Sequence, residues 1–109
     1  MVARRATYEF WHKKRADGQT YLSRVLSTSG TEVSDVHYHS VFGKPTKVGK
    51  NGNYTHYKYY KNGLLRAKEI KGEKVFFQYH SSLNKVARLT RMQMTKKGKV
   101  KKQATTDYR

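Results

Sequence analysis

NYTHYKYYKNGLLRAKEIKGEKVFFQYH, residues Asn53 to His80, decides how the chain reads. It carries Tyr54, Tyr57, Tyr59, Tyr60, Phe76, Phe77 and Tyr79, with Lys58, Lys61, Arg66, Lys68, Lys71 and Lys74 threaded among them. Asn62-Gly63 and Lys71-Gly72 cut it into three runs of strand length. An Asn-Gly pair accepts the positive φ angles of a tight hairpin turn, whose twist matches that of its strands. The stretch predicts a three-stranded antiparallel meander.

Turn geometry sets the register, and register assigns the faces. Two-residue loops place Tyr60 opposite Leu65, Lys58 opposite Ala67, His56 opposite Glu69, Ala67 opposite Phe76 and Arg66 opposite Phe77. One face then carries Tyr60, Leu65, Ala67 and Phe76; the other carries Tyr57, Tyr59, Arg66, Lys68, Phe77 and Tyr79. Leu65 and Ala67 suit a core, whereas unpaired charge is costly to bury, so the second face is expected to look at solvent. Rings beside cations can stack bases and neutralise phosphates. Plain sheet packing uses the same residues, because tyrosine suits strands by shape and Tyr–Arg pairs stabilise any sheet.

On the N-terminal side, Ala6 to His12 alternates, Asp17-Gly18 offers a turn, and Gln19 to Thr28 returns. That hairpin sets Phe10 opposite Val25 and Trp11 opposite Arg24. Trp11 is expected to pack beneath a helix with Arg24 along its edge; both are also candidate nucleic-acid contacts. Ser29 with Glu32 forms a capping-box pattern, and Gly43 with Pro45 a stop, which predicts a short helix between them. The valines of this segment lean instead towards strand. Lys44 to Gly52 reads as a loop.

On the C-terminal side, Ser81 or Ser82 can cap a helix from Leu83 to Lys97, with Leu83, Val86, Ala87, Thr90 and Met94 as its apolar stripe. Gly98 ends it, and Lys96 and Lys97 suit its negative end. Val86, Arg88, Thr90, Met92 and Met94 also alternate as a strand would, but propensity and caps favour the helix. The expected fold class is therefore α+β. A small antiparallel sheet of N-terminal hairpin plus central meander carries one or two helices, the basic C-terminal one covering Leu65, Ala67 and Phe76. Residues 1–98 form one domain, and 99–109 a flexible lysine-rich tail. No internal repeat is apparent. YYKNGLLRAKEIKGE (59–73) resembles the Tyr-rich hairpins of MORN-type repeats, but it occurs once and without their glycine spacing, so no family is assigned on it.

Composition narrows the function. Twenty-four Lys and Arg against seven Asp and Glu give +17 over 109 residues, a balance that attracts polyanions. Leu, Ile, Val and Phe are scarce, so the core is expected to be small, with nine tyrosines supplying buried area instead. The absence of cysteine excludes disulfides, thiolate metal sites and cysteine nucleophiles. No apolar run has the length of a membrane-spanning helix, and no secretion signal follows the first charges. The expected location is cytoplasmic, or nucleoid- or ribosome-associated, or the host cytoplasm for a viral protein. No membrane partner is expected, and oligomeric state is left open.

Three sites have chemistry to test. Asp35, His37 and His39 would share one face of a strand and offer donors for zinc or iron, but such spacing is a weak signal. His37, His39, His56 and His80 among many cations could serve a metal-independent ribonuclease, with His56 opposite Glu69. Gly43 to Gly52 is glycine- and lysine-rich but lacks a nucleotide-binding loop pattern. No cofactor, metal or catalytic residue is expected. The favoured reading is a non-enzymatic nucleic-acid-binding protein, RNA or single strands ahead of duplex DNA. Its stacking residues would be Tyr57, Tyr59, Phe77, Tyr79 and Trp11; its cations Arg24, Arg66, Lys68, Lys85, Arg88, Arg91, Lys96, Lys97, Lys99, Lys101 and Lys102. The alternatives are the ribonuclease and a charge-driven factor or inhibitor, viral or not, docking on an acidic protein.

Overall fold

The computed structural model describes residues 6–80 and 85–108. It is all-β, a nine-stranded antiparallel meander in which hydrogen-bonded order follows chain order. The strands are β1 (Ala6–Lys14), β2 (Thr20–Ser29), β3 (Glu32–Tyr38), β4 (Pro45–Lys50), β5 (Asn53–Tyr59), β6 (Leu65–Ile70), β7 (Glu73–Tyr79), β8 (Val86–Met94) and β9 (Val100–Asp107). Contacts gather them into two compact units, Met1–Thr55 and His56–Arg109.

The α+β expectation is overturned, because no helix forms among the described residues. Ser29 and Glu32, read as a helix cap, face each other across a tight turn in which Gly30 takes φ 60°. The β-branched valines after it then extend as β3. The segment read as a basic helix from Leu83 to Lys97 contains β8, whose Val86–Met94 alternation pairs with β7 on one side and β9 on the other. Two ladders satisfy its backbone, and such pairing overrides intrinsic helix propensity. The proposed caps Ser81 and Ser82 lie outside the described residues. Lys44 to Gly52 is not a plain loop, since Pro45–Lys50 forms β4 along β3. The segment expected as a flexible tail contributes β9.

The hairpins repeat a construction that the sequence reading missed. Arg15 N–H donates to Gln19 O and Gly18 N–H to Arg15 O; the same two bonds recur at Tyr60, Leu64 and Gly63, and at Thr95, Lys99 and Gly98. The register shifts next to two of these loops, at Lys58/Tyr59 and Gln93/Met94, and farther from the loop in the first hairpin, at Trp11/His12. Tight turns with positive-φ glycines, Gly30, Gly52 and Gly72, join β2 to β3, β4 to β5 and β6 to β7.

The bulge on β6 changes the predicted faces. His56↔Glu69, Lys58↔Ala67 and Ala67↔Phe76 pair as the turns predicted, but Leu65 pairs with Tyr59 rather than Tyr60. An extra residue reverses side-chain alternation, so Leu65 joins Tyr57, Tyr59, Lys68, Phe77 and Tyr79. Burial is thin: Ala67 at 1% exposure and Val75 at 8% are the buried apolar side chains among the described residues, and they sit on opposite faces of their unit.

Candidate nucleic-acid interface

In the unit His56–Arg109, register runs a rung Tyr57–Lys68–Val75–Arg91–Ala104 across five strands. Tyr59 with Leu65, Phe77 with Leu89, and Tyr79 with Val86 lie on the same face. These rings are half-buried. Burial pushes the Tyr59 and Tyr79 hydroxyls above the ordinary tyrosine range, helped by Tyr57 and Tyr60 respectively. Tyr79 donates its hydroxyl to Leu65 O at 2.8 Å, and Tyr60, edge-on to Tyr79 at 6.1 Å, donates to Phe77 O at 2.7 Å. Such bonds pin the rings and leave faces, rather than hydroxyls, for contact.

Charge divides unevenly between the two faces. On the face opposite the tyrosines, Glu69 lies 3.4 Å from Lys58 and 3.7 Å from Lys74, and Asp107 lies 2.6 Å from Arg88. On the tyrosine face Glu73 stands 3.6 Å from Arg91, while Lys68 has no acidic partner among the described residues. Lys102 joins this face opposite Gln93.

The predicted contacts therefore separate. Tyr57, Tyr59, Lys68, Phe77, Tyr79, Arg91 and Lys102 come together. Arg66, expected opposite Phe77, is the bulge residue and lines a shallow cleft with Phe76 and Gln78. Arg88 lies on the opposite face against Asp107. Lys101 is the bulge residue of β9; Lys96, Lys97 and Lys99 belong to the β8–β9 turn, and Lys85 is exposed before β8.

The unit Met1–Thr55 holds a second cluster. Trp11, Arg24, His37 and Lys47 form one rung across four strands, and Leu26, Asp35 and Gly49 belong to the next. Trp11↔Arg24 and Phe10↔Val25 pair as expected, but no helix among the described residues covers Trp11, which is 37% exposed with the Arg24 guanidinium 4.7 Å from its ring centroid. Asp35, 4% exposed, takes Arg24 Nε at 2.8 Å, Arg24 Nη2 at 2.9 Å and the Tyr54 hydroxyl at 3.1 Å, with His37 Nε2 at 3.3 Å. The Arg24 guanidinium holds the Asp35 carboxyl below its ordinary range, against the burial that would raise it. Hydrogen bonding to that carboxylate in turn raises the Tyr54 hydroxyl. Tyr54 lies flat over Gly49, and Lys47 Nζ sits 4.4 Å from its ring. The sequence reading missed Tyr54 and Lys47; a glycine between Val48 and Lys50 was the available signal that a ring needs bare backbone there.

The histidine expectations also separate. Asp35 and His37 touch, but β3 ends at Tyr38, and His39 Nδ1 accepts the Val41 and Phe42 N–H groups while its ring stacks on Phe42 at 4.3 Å. The Asp35–His37–His39 triplet therefore does not converge. His56 stands opposite Glu69, as the turn register predicted. Compared with known proteins, the chain matches no family model, and no curated protein is significantly similar to it.

Proposed function

We propose that the protein binds single-stranded nucleic acid across the tyrosine face of the unit His56–Arg109, without catalysis. The observation that supports this most is the Tyr57–Lys68 rung: a ring and a cation without an acidic partner among the described residues, side by side on a face that also gathers Tyr59, Phe77 and Tyr79. Bases stack on such rings whatever their sequence, and cations follow the phosphates. The acids elsewhere are engaged: Asp17 with Arg15, Glu32 with Lys50, Asp35 with Arg24, Glu69 with Lys58, and Asp107 with Arg88. The +17 excess thus stays available to a polyanion.

Fluorescence anisotropy with labelled oligo-uridine, oligo-thymidine and a duplex tests the proposal. Single strands should bind more tightly than duplex, and six to ten phosphate contacts should lose about 10³–10⁵ in affinity between roughly 50 and 200 mM salt. Tyr57→Ala should cost about 1–3 kcal/mol of single-strand binding. Binding indifferent to Tyr57→Ala and Lys68→Ala would sink it, as would a preference for duplex.

A further inference from the structure

We propose that Trp11 stacks one unstacked base of a bound single strand on its outer ring face, with Arg24 filling the inner face. The inference rests on the nucleic-acid reading above but concerns the other unit. Trp11 stands on β1, an end strand in the sheet order, so it has a strand neighbour on one side. That side is occupied by the Arg24 guanidinium, 4.7 Å from the ring centroid. The residue as a whole is 37% exposed. An indole backed by a fixed cation, on an end strand with no strand beyond it in the sheet order, has the shape of a base-stacking platform.

The arrangement is held in advance of any ligand. Asp35 grips Arg24 through both carboxylate oxygens, which fixes the guanidinium plane behind the indole. The backbone beneath is tied by the Ser23 hydroxyl, which donates to Trp11 O at 3.1 Å beside the register shift. Asp35 is therefore a positioning residue: it acts on the base through Arg24 and Trp11. Charge sets the direction of approach. Lys13, exposed and two residues along β1 on the same face, takes the phosphate, and Lys47 adds a cation to the rung. Glu9, two residues the other way, repels it.

Trp11 is the chain's only tryptophan, so its emission reports this site alone. Unlabelled oligo-thymidine is titrated into the full chain at low salt while tryptophan emission is followed, with anisotropy of the labelled strand measured in parallel. The expected result is quenching that saturates together with anisotropy. Trp11→Ala should weaken binding about tenfold, a single stack's contribution. Tyr57→Ala should weaken binding yet leave the quenching at saturation intact. Asp35→Asn, checked for folding by circular dichroism, should lower the emission anisotropy of free Trp11 and weaken binding; a purely structural role would shift melting alone. Oligonucleotide that binds without altering Trp11 emission overturns this site and spares the tyrosine face. Oligonucleotide that does not bind at all overturns both.

Discussion

Arg24 holds Asp35 by both carboxylate oxygens, Nε to Oδ1 at 2.8 Å and Nη2 to Oδ2 at 2.9 Å, on a sheet face that carries no helix among the described residues. The shielding of Asp35 comes from side chains lying over it, with Tyr54 and His37 closing the remaining sides. Removing one partner of a buried ion pair costs roughly 3–5 kcal/mol, and proximity to solvent lowers that figure. Asp35→Ala should therefore destabilise the protein by about 2 kcal/mol, read as a lower urea midpoint with an unchanged slope. A loss within ~0.5 kcal/mol, the usual range for surface positions, would mean that the network is ornamental.

The same contacts give acid sensitivity a defined sign. Arg24 keeps the folded Asp35 carboxyl below its ordinary value, so the unfolded chain takes up the proton first as pH falls. The stabilisation is complete above about pH 4, the ordinary carboxylate value, and is lost as pH drops through the lower folded value. Asp17, whose carboxylate accepts the Gln19 N–H and pairs with Arg15, shifts in the same direction. Urea midpoints measured from pH 6 down to pH 2 should fall for the wild type and flatten for Asp35→Asn. Equal slopes for the two proteins would assign the acid response to other carboxylates.

Gly49 and Tyr54 offer a test from the opposite direction. A Cβ on Gly49 would lie 2.2 Å from Tyr54 Cε1 and 2.4 Å from Cδ1, far inside van der Waals contact with the ring. Gly49→Ala must therefore swing the ring away, breaking its bond to Asp35 and its contact with Lys47. Overpacking of this kind costs about 1–3 kcal/mol. The raised Tyr54 hydroxyl should return towards the ordinary tyrosine range, visible as earlier phenolate absorbance in an alkaline titration. A variant of wild-type stability with unchanged tyrosine titration would place the ring elsewhere.

Turn chemistry was the legible part of this fold. Asp17-Gly18, Asn62-Gly63 and Lys71-Gly72 mark real hairpins, and they predict Phe10↔Val25, Lys58↔Ala67 and Ala67↔Phe76 correctly. The bulge at Arg66 was not legible, because Asn62-Gly63 suits a two-residue loop as well as the wider loop closed by Tyr60 and Leu64. One inserted residue moved Leu65 from the expected core to the tyrosine face. Val86 to Met94 carried both periods, and helix propensity broke the tie wrongly because the partners that hold β8 extended, β7 and β9, are invisible in a local window. The Trp11–Arg24 pair was foreseen from register, whereas the grip of Asp35 on Arg24 needed the β2–β3 pairing that a helix reading had removed.

Asn51 tests whether turn residues act through conformation or through bonding. It takes φ 51°, the positive-φ non-glycine among the described residues, and precedes Gly52 at φ 84° in the β4–β5 turn. Its side-chain Oδ1 accepts the Val33 N–H at 2.8 Å, while its own N–H donates to Val33 O at 2.8 Å, tying the turn to the start of β3. Asn51→Ala loses the side-chain bond and keeps a Cβ in a left-handed backbone without the local polar contact that lets asparagine adopt it, a conformation that costs about 1–2 kcal/mol for ordinary residues. Asn51→Gly loses the same bond but relieves the backbone, so its cost should stay near the ~0.5–1.5 kcal/mol of one exchanged hydrogen bond. Denaturation midpoints should therefore rank wild type, then Asn51→Gly, then Asn51→Ala. If the two variants coincide, the bond to Val33 rather than the left-handed φ is what Asn51 contributes.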